Sequence, residues 1–573
     1  MENAQVADIF DEIADLIELD EGNEYRIRSY RAAARTVRDL SQRLEDLVAQ
    51  EEDLSEIPNI GESTADKIHE ILETGTCQRL EEMRSKVPPE LTEIMRVPDL
   101  GPRKAMQLHR ELDMDDLDDL REACESHKVR ELEGMGKKTE ENILQGLETL
   151  ESVGERVLLR DAADHVVSVG RHLDGVDAIR RWEVAGSFRR RKETVGDLDI
   201  LVEASDRDQA ADGILELEDV DEVMGRGKER VSVRLSDGLQ IDFRFFEESS
   251  FGSALMYFTG SKAHNIHIRQ LAVERDWKLN EYGLFKDDRR LAGSTEESVY
   301  HRLNLPWIPP ELREDRGEVE AAQEEDLPEL VEAGDIRGDL QSHTDVTDGT
   351  SSIGEMAEAA ADRGYDYFAI TDHTKRVTMA KGLDDDGALA HAENIREVDS
   401  DMDDIWLLAG IEVDILKSGA LDLKEETLEE LDWVVASIHY DMDMEQEEMT
   451  ERLLSAIRSG VVHCLGHPTV RVLGKRDPIP FAADRVFEAC AEKGVFIEVN
   501  AQPDRLDLPD FYCKRALEAG VRFTISTDAH KPSDLDFMPY GVDVARRGWL
   551  RPRDVLNTRT VKQFREALGG GGS

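Results

Sequence analysis

Residues 185–204 read AGSFRRRKETVGDLDILVEA. A Gly-Ser turn, a basic run and an alternation of aspartate with apolar residues follow one another. The alternation in DLDILVEA predicts a strand, and in a strand Asp197 and Asp199 face the same side. Like charges held that close raise each other's pKa unless a cation lies between them. Oxygen-only ligands suit Mg²⁺, which also accepts phosphate oxygens. LQIDFRFF (239–246) offers a third strand carboxylate, Asp242. Alone, paired aspartates on an edge strand read more simply as solvent-facing. The upstream turn changes that balance: the amides and hydroxyl of Gly186-Ser187 can hold a phosphate, with Arg190 in reach. A phosphate turn followed by three carboxylates points to nucleotidyl transfer, with two metals flanking an in-line displacement.

Working outward, residues 1–150 have helical spacing of apolar residues, as in VADIFDEIADLIEL. Three look-alikes follow: IPNIGESTADKI (57–68), VPDLGPRKAMQL (97–108) and LEGMGKKTEENI (132–143). Each places a glycine turn (Gly61, Gly101, and Gly134 with Gly136) ahead of a helix start. Amides at such a turn bind DNA phosphate without a basic face. In the first repeat Asn59 stands where a second glycine would be usual, and asparagine tolerates a left-handed backbone.

From about residue 182 the period changes to that of strands, and residues 251–305 mix helix with short strands. Residues 313–335 are acidic and poor in aromatics and read as a linker. From 336 onward strands such as IWLLAGIEV and WVVASIH alternate with helices such as IGEMAEAAADRG. That pattern predicts a mainly parallel sheet able to close as a barrel.

The chain of 573 residues carries 126 Asp+Glu against 71 Lys+Arg, a net charge of -55. Dense carboxylates keep a surface hydrated where salt screens their repulsion, so the expected setting is a salt-rich cytosol such as a halophilic archaeon's. Nucleic-acid contacts must then come from local basic spots and amides. No apolar run is long enough to span a bilayer, and the N-terminus lacks a secretory pattern. Five scattered cysteines without a CxxC argue for a reducing compartment.

A second constellation begins at GDLQSHTDVTDG (338–349), where one place of a His-x-His pair is Gln341 and the other His343. AITDHT, AGIEVDI, ASIHYD, CLGHPTVR and ISTDAH continue it, all at expected C-terminal strand ends. A lone histidine there is usually structural. Several together with carboxylates, converging on one barrel face, suit Zn²⁺, Mn²⁺ or Fe.

GSFRRRKETVGDLDIL, ALMYFTGSKAHNIHIRQLA and KLNEYGLF resemble the family-X DNA polymerases, the group of DNA polymerase beta. The barrel segments resemble the PHP (polymerase and histidinol phosphatase) domain that bacterial and archaeal members carry at the C-terminus. The resemblance implies an all-α helix-hairpin-helix region, an α+β nucleotidyltransferase palm and thumb, and a C-terminal α/β PHP barrel, a distorted TIM-like fold. The implied divisions are two helical domains at 1–85 and 86–152, palm 153–247, thumb 248–312, linker 313–335, PHP domain 336–568 and a disordered tail 569–573. It implies that Asp197, Asp199 and Asp242 bind catalytic Mg²⁺ or Mn²⁺, and that Gly186, Ser187, Arg190 and Arg156 hold a dNTP triphosphate. Tyr257, Phe258 and Gly260 would flank the sugar, Asn265 would contact the incoming base and Arg269 the template. Lys67 falls where some members carry a lyase nucleophile, but Arg26 and Ser63 occupy neighbouring basic positions. A surface lysine is an equal reading. In the PHP domain up to three metals (Mn²⁺, Zn²⁺ or Fe) would be held by His343, Asp348, His373, Glu412, His439, His467, Asp528 and His530. Gln341 would be a substituted, weaker ligand. Asp345, His391 and His463 read as surface or structural, and Arg471 and Lys475 as contacts to a substrate phosphate. The expected whole is a monomeric, cytoplasmic repair polymerase acting on gapped or nicked DNA, with a phosphoesterase that trims 3′ ends. Two alternatives are a phosphoesterase that uses the polymerase half as a DNA tether, and a non-catalytic scaffold on DNA ends.

Overall fold

A computed structural model describes residues 156–377 and 381–569 throughout, and residues 3–144 apart from short gaps that include 21–23, 40–43, 50–53, 95–99, 101 and 133–134. The chain divides into two compact units, residues 1–155 and 156–573. Among the described residues no helix is long and apolar enough to cross a membrane.

The first unit is helical. Helices Asn3–Leu19 and Glu24–Asp39 bury Phe10, Ile13, Leu16, Ala33 and Val37 in a core shared with Ile68, Ile71 and Leu80. Helix Glu62–Thr74 starts immediately after Gly61, and Asn59 takes the left-handed backbone expected of it, φ 64°. Gly61 and Gly136 are exposed, with nothing within 4 Å of the place a Cβ would take. Gly101 and Gly134 lie outside the described residues. Lys67 Nζ donates to the Ser63 carbonyl (2.7 Å) and hydroxyl (2.8 Å), one helical turn back.

The second unit opens with β1 (Val157–Leu158), β2 (Ile179–Val184), β3 (Thr194–Val195), β4 (Asp197–Ala204), β5 (Val220–Arg226), β6 (Arg230–Leu235) and β7 (Gln240–Phe245). β1 pairs with β3, and the others form one sheet in the order 2-4-7-6-5. In that sheet β4 and β7 are parallel and the other neighbours antiparallel. Helices Glu248–Thr259 and Lys262–Val273 follow, then a small sheet of β8 (Lys278–Asn280), β9 (Gly283–Lys286) and β10 (Arg289–Ala292).

Residues 313–335, expected as an acidic linker, instead pack as part of the fold. Helix Glu318–Gln323 buries Val319 and Ala322. Arg313 and Glu318 are fully buried: Arg313 pairs with Glu296 at 2.6 Å and Glu318 with His264 at 2.6 Å. Composition misleads here because each of these charges has a partner far away in sequence.

The remaining strands are β11 (Gly338–Asp339), β12 (Tyr367–Ile370), β13 (Trp406–Asp414), β14 (Trp433–Ser437), β15 (Cys464–Leu465), β16 (Phe496–Asn500) and β17 (Phe523–Ser526), all parallel and in sequential order. A bridge between Ser342 and Ala529, with His343 N–H donating to the Ala529 carbonyl at 2.8 Å, links the first and last strands into a nearly closed barrel. Strands wrapped by helices are buried on both faces, which explains their continuous apolar runs. Their C-terminal ends converge on one face.

Candidate active sites

In the palm, β4 and β7 pair so that Asp199 lies opposite Asp242, while the two-residue period puts Asp197 on the same face. Asp242 is buried and accepts from the Ser232 hydroxyl at 2.5 Å and from Gln240 Nε2 at 3.3 Å. Arg244, two residues beyond Asp242, spans the patch. Its Nε donates to Asp199 (3.0 Å), its Nη2 donates to Asp242 (2.8 Å), and its guanidinium lies 4.5 Å from the Phe258 ring centre. Sequence reasoning missed Arg244, although the alternation in DFR placed it on the carboxylate face.

Burial, then the neighbouring Asp242, raises the Asp197 carboxyl above its ordinary value. Burial, then Asp197, pushes Asp199 up to about 6 despite Arg244. An oxygen-only patch in which Asp197 and Asp199 are both raised is a donor set that a divalent cation satisfies. The metal-free Asp199 is protonated below about 6 and ionised above it, so protons compete with cation. Mg²⁺ affinity should therefore fall, by up to about tenfold per pH unit, as pH drops below that value. Calorimetric Mg²⁺ titration at pH 7.5 and 5.5 checks this.

Gly186 opens the turn with φ 64°, and a Cβ there would lie 3.4 Å from an Asp199 carboxylate oxygen. Ser187 lies in the single helical turn Gly186–Arg189. Arg190 is mostly buried, its Nε donating to Glu314 at 3.0 Å and its Nη1 to the Thr259 carbonyl. Arg156 donates to the Thr194 hydroxyl (2.8 Å) and carbonyl (2.7 Å), and its positive charge acts on Asp197. Tyr257, Asn265 and Arg269 line one small cleft with Ser253, Met256, Leu279 and Asn280. Asn265 Nδ2 donates to the Tyr257 carbonyl at 2.6 Å. The Phe258 ring sits 5.1 Å from Tyr257 and 5.8 Å from Phe246, and Gly260 caps the helix with φ 69°.

The barrel gathers its own set at the C-terminal strand ends. Glu412, from β13, is almost fully buried among imidazoles. His467 Nε2 lies 2.9 Å and His439 Nε2 3.6 Å from its Oε1, while His373 Nδ1 lies 2.9 Å and His343 Nε2 3.6 Å from its Oε2. His343 Nε2 is 3.0 Å from Asp528, and His373 Nε2 is 3.2 Å from Asp348. His530 Nε2 is 3.6 Å from Asp348. The rings of His373 and His530 each stack on His343 at 4.4 Å.

Two groups of these side chains can each surround a cation: His343, Asp348, His373 and His530, and His373, Glu412 and His439. Burial would raise Glu412, but the facing His439 and His373 hold it well below the usual carboxylate range. His343 Nδ1 and Nε2, His373 Nδ1, Glu412 Oε2 and Gln341 Oε1 are buried without a well-aligned hydrogen-bond partner. Buried polar atoms of that kind call for a cation, and the mixed imidazole–carboxylate donors fit the transition metals.

Gln341 is fully buried beside this set, its amide nitrogen 3.0 Å from Glu412 Oε1. The orientation follows from charge, since an amide oxygen facing a carboxylate would repel it.

A supporting layer escaped the sequence reading. Asp372 accepts from Thr344 N–H (2.9 Å), the Thr344 hydroxyl (2.6 Å) and His391 Nε2 (2.8 Å). Asp414 holds His439 Nδ1 at 3.1 Å, which orients the ring. Glu498 accepts from His467 N–H at 2.8 Å. The reading of His391 and His463 as surface or structural resolves to structural: His391 is buried on Asp372, and His463 stacks on Trp433 at 5.4 Å. Asp345 is exposed. Arg471 departs from expectation. It is buried and spent on Glu193 of the palm (Nη2, 2.6 Å) and on the Arg505 carbonyl (Nε, 2.9 Å), so it is not free for a substrate phosphate. Lys475 is exposed.

Known families align with these parts. Residues 1–77 match the helix-hairpin-helix domain, and residues 91–149 match the SAM-like helix-hairpin-helix tandem. Residues 254–314 match the DNA polymerase beta thumb and residues 339–502 the PHP domain. The chain is 36% identical over 572 residues to the DNA polymerase/3'-5' exonuclease PolX of Bacillus subtilis (strain 168), covering 99% of each. The chain belongs to the family X DNA polymerases that carry a PHP domain. Shorter relatives of this polymerase include a probable phosphatase of Caldanaerobacter subterraneus subsp. tengcongensis, 29% identical over 238 residues, 39% of this chain and 89% of that protein. A probable phosphatase of Acetivibrio thermocellus is 30% identical over 189 residues, 31% of this chain and 73% of that protein.

Proposed function

We propose that this polymerase fills short gaps and extends primers at nicks during DNA repair, and that its barrel acts as a 3′–5′ exonuclease or 3′-end-cleaning phosphoesterase on the same ends. The observation that carries the reading is the presence in one chain of two separate, chemically distinct donor sets that suit cations: the all-carboxylate Asp197, Asp199 and Asp242, and the imidazole-rich set around Glu412. Mg²⁺ or Mn²⁺ at the first would neutralise the triphosphate and favour the ionised primer hydroxyl.

The chain's own groups supply the rest. Ser187, Arg190 and Arg156 hold the triphosphate, and Tyr257 and Phe258 shape the sugar site. Asn265 meets the incoming base and Arg269 the template. The amides beyond Gly61, Gly101, Gly134 and Gly136 take DNA phosphates, which suits a protein of net charge -55. The two hydrogen bonds from Lys67 to Ser63 support a helix-surface role for it rather than a lyase nucleophile. In the barrel, Glu412 lies between four imidazoles and would be held in common by two cations. Asp348, His343, His373 and His530 form one side, and His439 with His467 the other. Asp528 stands beside His343. Mn²⁺, Zn²⁺ or Fe fits these donors. The acidic surface supports a monomer working in a salt-rich cytoplasm, where screening is strong.

Primer extension with dNTPs on gapped, nicked and open substrates, in high KCl with Mg²⁺ or Mn²⁺, tests the reading. Preferred incorporation at short gaps, with separate shortening of unpaired 3′ ends, is expected. Hydrolysis without incorporation at any salt would favour a phosphoesterase tethered by its polymerase half. Neither activity would favour an inert end-binding scaffold. Gln341→His replaces an amide that faces Glu412 with an imidazole donor, so the barrel should retain metal more strongly through dialysis. Elemental analysis of both proteins checks this, and equal retention would remove Gln341 from the metal set.

A further inference from the structure

The exit of the phosphate turn meets the barrel through Arg190, Arg191 and Glu193. Arg191 lies 3.7 Å from Asp543, and Glu193 pairs with Arg471. The central contact is Arg547, the last residue of helix Met538–Arg547, which is only 2% exposed. Its Nη1 donates to the Arg190 carbonyl at 2.6 Å and to Glu314 at 3.2 Å, and its Nη2 donates to Asp510 at 2.5 Å. Arg316 approaches the same Asp510 oxygen at 3.2 Å. The Glu314 oxygen that Arg547 touches is also the one that Arg190 Nε holds at 3.0 Å.

Arg190 therefore shares its counter-ion with a second, immobile guanidinium, while its own carbonyl is pinned by that guanidinium. A planar fork meeting a carbonyl and two carboxylates from three segments fixes geometry that a single flexible cation would not. Sharing also weakens the hold of Glu314 on Arg190. With Arg547 removed, Glu314 would be left to Arg190 and to Lys192, whose Nζ lies 3.9 Å from the same oxygen, and the exit of the turn would lose its anchor.

We propose that Arg547, from the hydrolase domain, is a positioning residue for the polymerase: it sets the phosphate turn and keeps the Arg190 side chain available to the incoming triphosphate. The inference rests on the triphosphate role given to Arg190 above. It makes the barrel part of the polymerase's nucleotide-binding architecture, separately from the barrel's own chemistry.

Steady-state single-nucleotide gap filling by the full chain tests it. Arg547→Met should raise the dNTP KM by about tenfold with kcat changed less than about threefold, as expected when a binding interaction is lost. Hydrolysis of a 3′ end by the barrel should keep its rate. Arg547→Lys should be intermediate, since it restores charge without the fork. Adding Glu314→Gln to Arg547→Met should bring the KM back toward wild type by releasing Arg190, an effect that general loosening of the fold would not produce. If Arg547→Met leaves Asp510 uncompensated and fails to fold, Arg547→Met with Asp510→Asn carries the same measurement. An unchanged KM in the folded variants, or parallel loss of polymerisation and hydrolysis without rescue by Glu314→Gln, would overturn the proposal. Arg190→Ala separates the two levels. If it leaves the dNTP KM unchanged, the triphosphate reading is at fault. If it raises the KM while Arg547→Met does not, the positioning role is at fault.

Discussion

Replacing Asp197 with alanine is expected to abolish nucleotide incorporation while sparing hydrolysis by the barrel and leaving the fold intact. Asp197 is the first residue of β4, and its neighbours Asp199 and Asp242 remain in register without it. What is lost is one of the three carboxylates that would hold a catalytic cation. Cation stabilisation of a transferring phosphoryl group is worth several kcal/mol, so the rate should fall on the order of 10³-fold or more. Stability should move the other way. Burial and then Asp242 hold the Asp197 carboxyl above its ordinary value, and burial and then Asp197 do the same for Asp199, so at neutral pH the ionised forms repel. The melting temperature in chelator should therefore be equal to or slightly above that of the parent. Gap filling and 3′-end hydrolysis measured on one preparation, with a melting curve, check all three. Retained gap filling would sink the assignment of this patch.

Glu412→Gln is expected to have the largest effect on the barrel. Glu412 is the one carboxylate that His343, His373, His439 and His467 all approach. The amide is the same size but brings no charge, so the imidazoles, and the cations they would hold, lose their common counter-ion. Hydrolysis should fall on the order of 10³-fold, and metal retained through dialysis should drop. In chelator the variant should also lose stability, by about 3–5 kcal/mol, because removing one partner leaves buried imidazoles uncompensated. The folded value for Glu412 is depressed, so its contribution to the parent's stability is present at neutral pH and is lost as pH falls from the ordinary carboxylate value down through the lower folded one. Elemental analysis, hydrolysis and melting with and without metal check this. Gap filling should persist, and its loss would mean that the two centres are not chemically independent.

Much of this protein was legible in the linear chain because its chemistry is local. A two-residue period puts Asp197 and Asp199 on one face whatever the sheet, and a histidine just after an apolar strand lands on the same barrel face as its equivalents. The glycine turn at Gly61, the strand-rich middle and the βα alternation of the last third follow from short-range patterns of the same kind. So did the left-handed Asn59.

Only the tertiary structure decided the rest. β11 has two residues and carries no readable period, yet it positions Gln341 and His343. Composition suggested that 313–335 is loose, whereas Arg313 and Glu318 are buried against Glu296 and His264. Arg471 looked free for phosphate and is held by Glu193, 278 residues away. Arg244 between two aspartates, Asp372 behind the imidazoles and Arg547 beneath the phosphate turn share a physical reason for being missed. A charge is identified by its partner, and buried pairing depends on which distant segments the fold brings together, whereas periodicity depends only on neighbours along the chain. The sequence by itself determined which chemistries are present and on which faces they stand. The folded chain decided which charges remain free to act and which are spent on holding the polymerase and the hydrolase to one another.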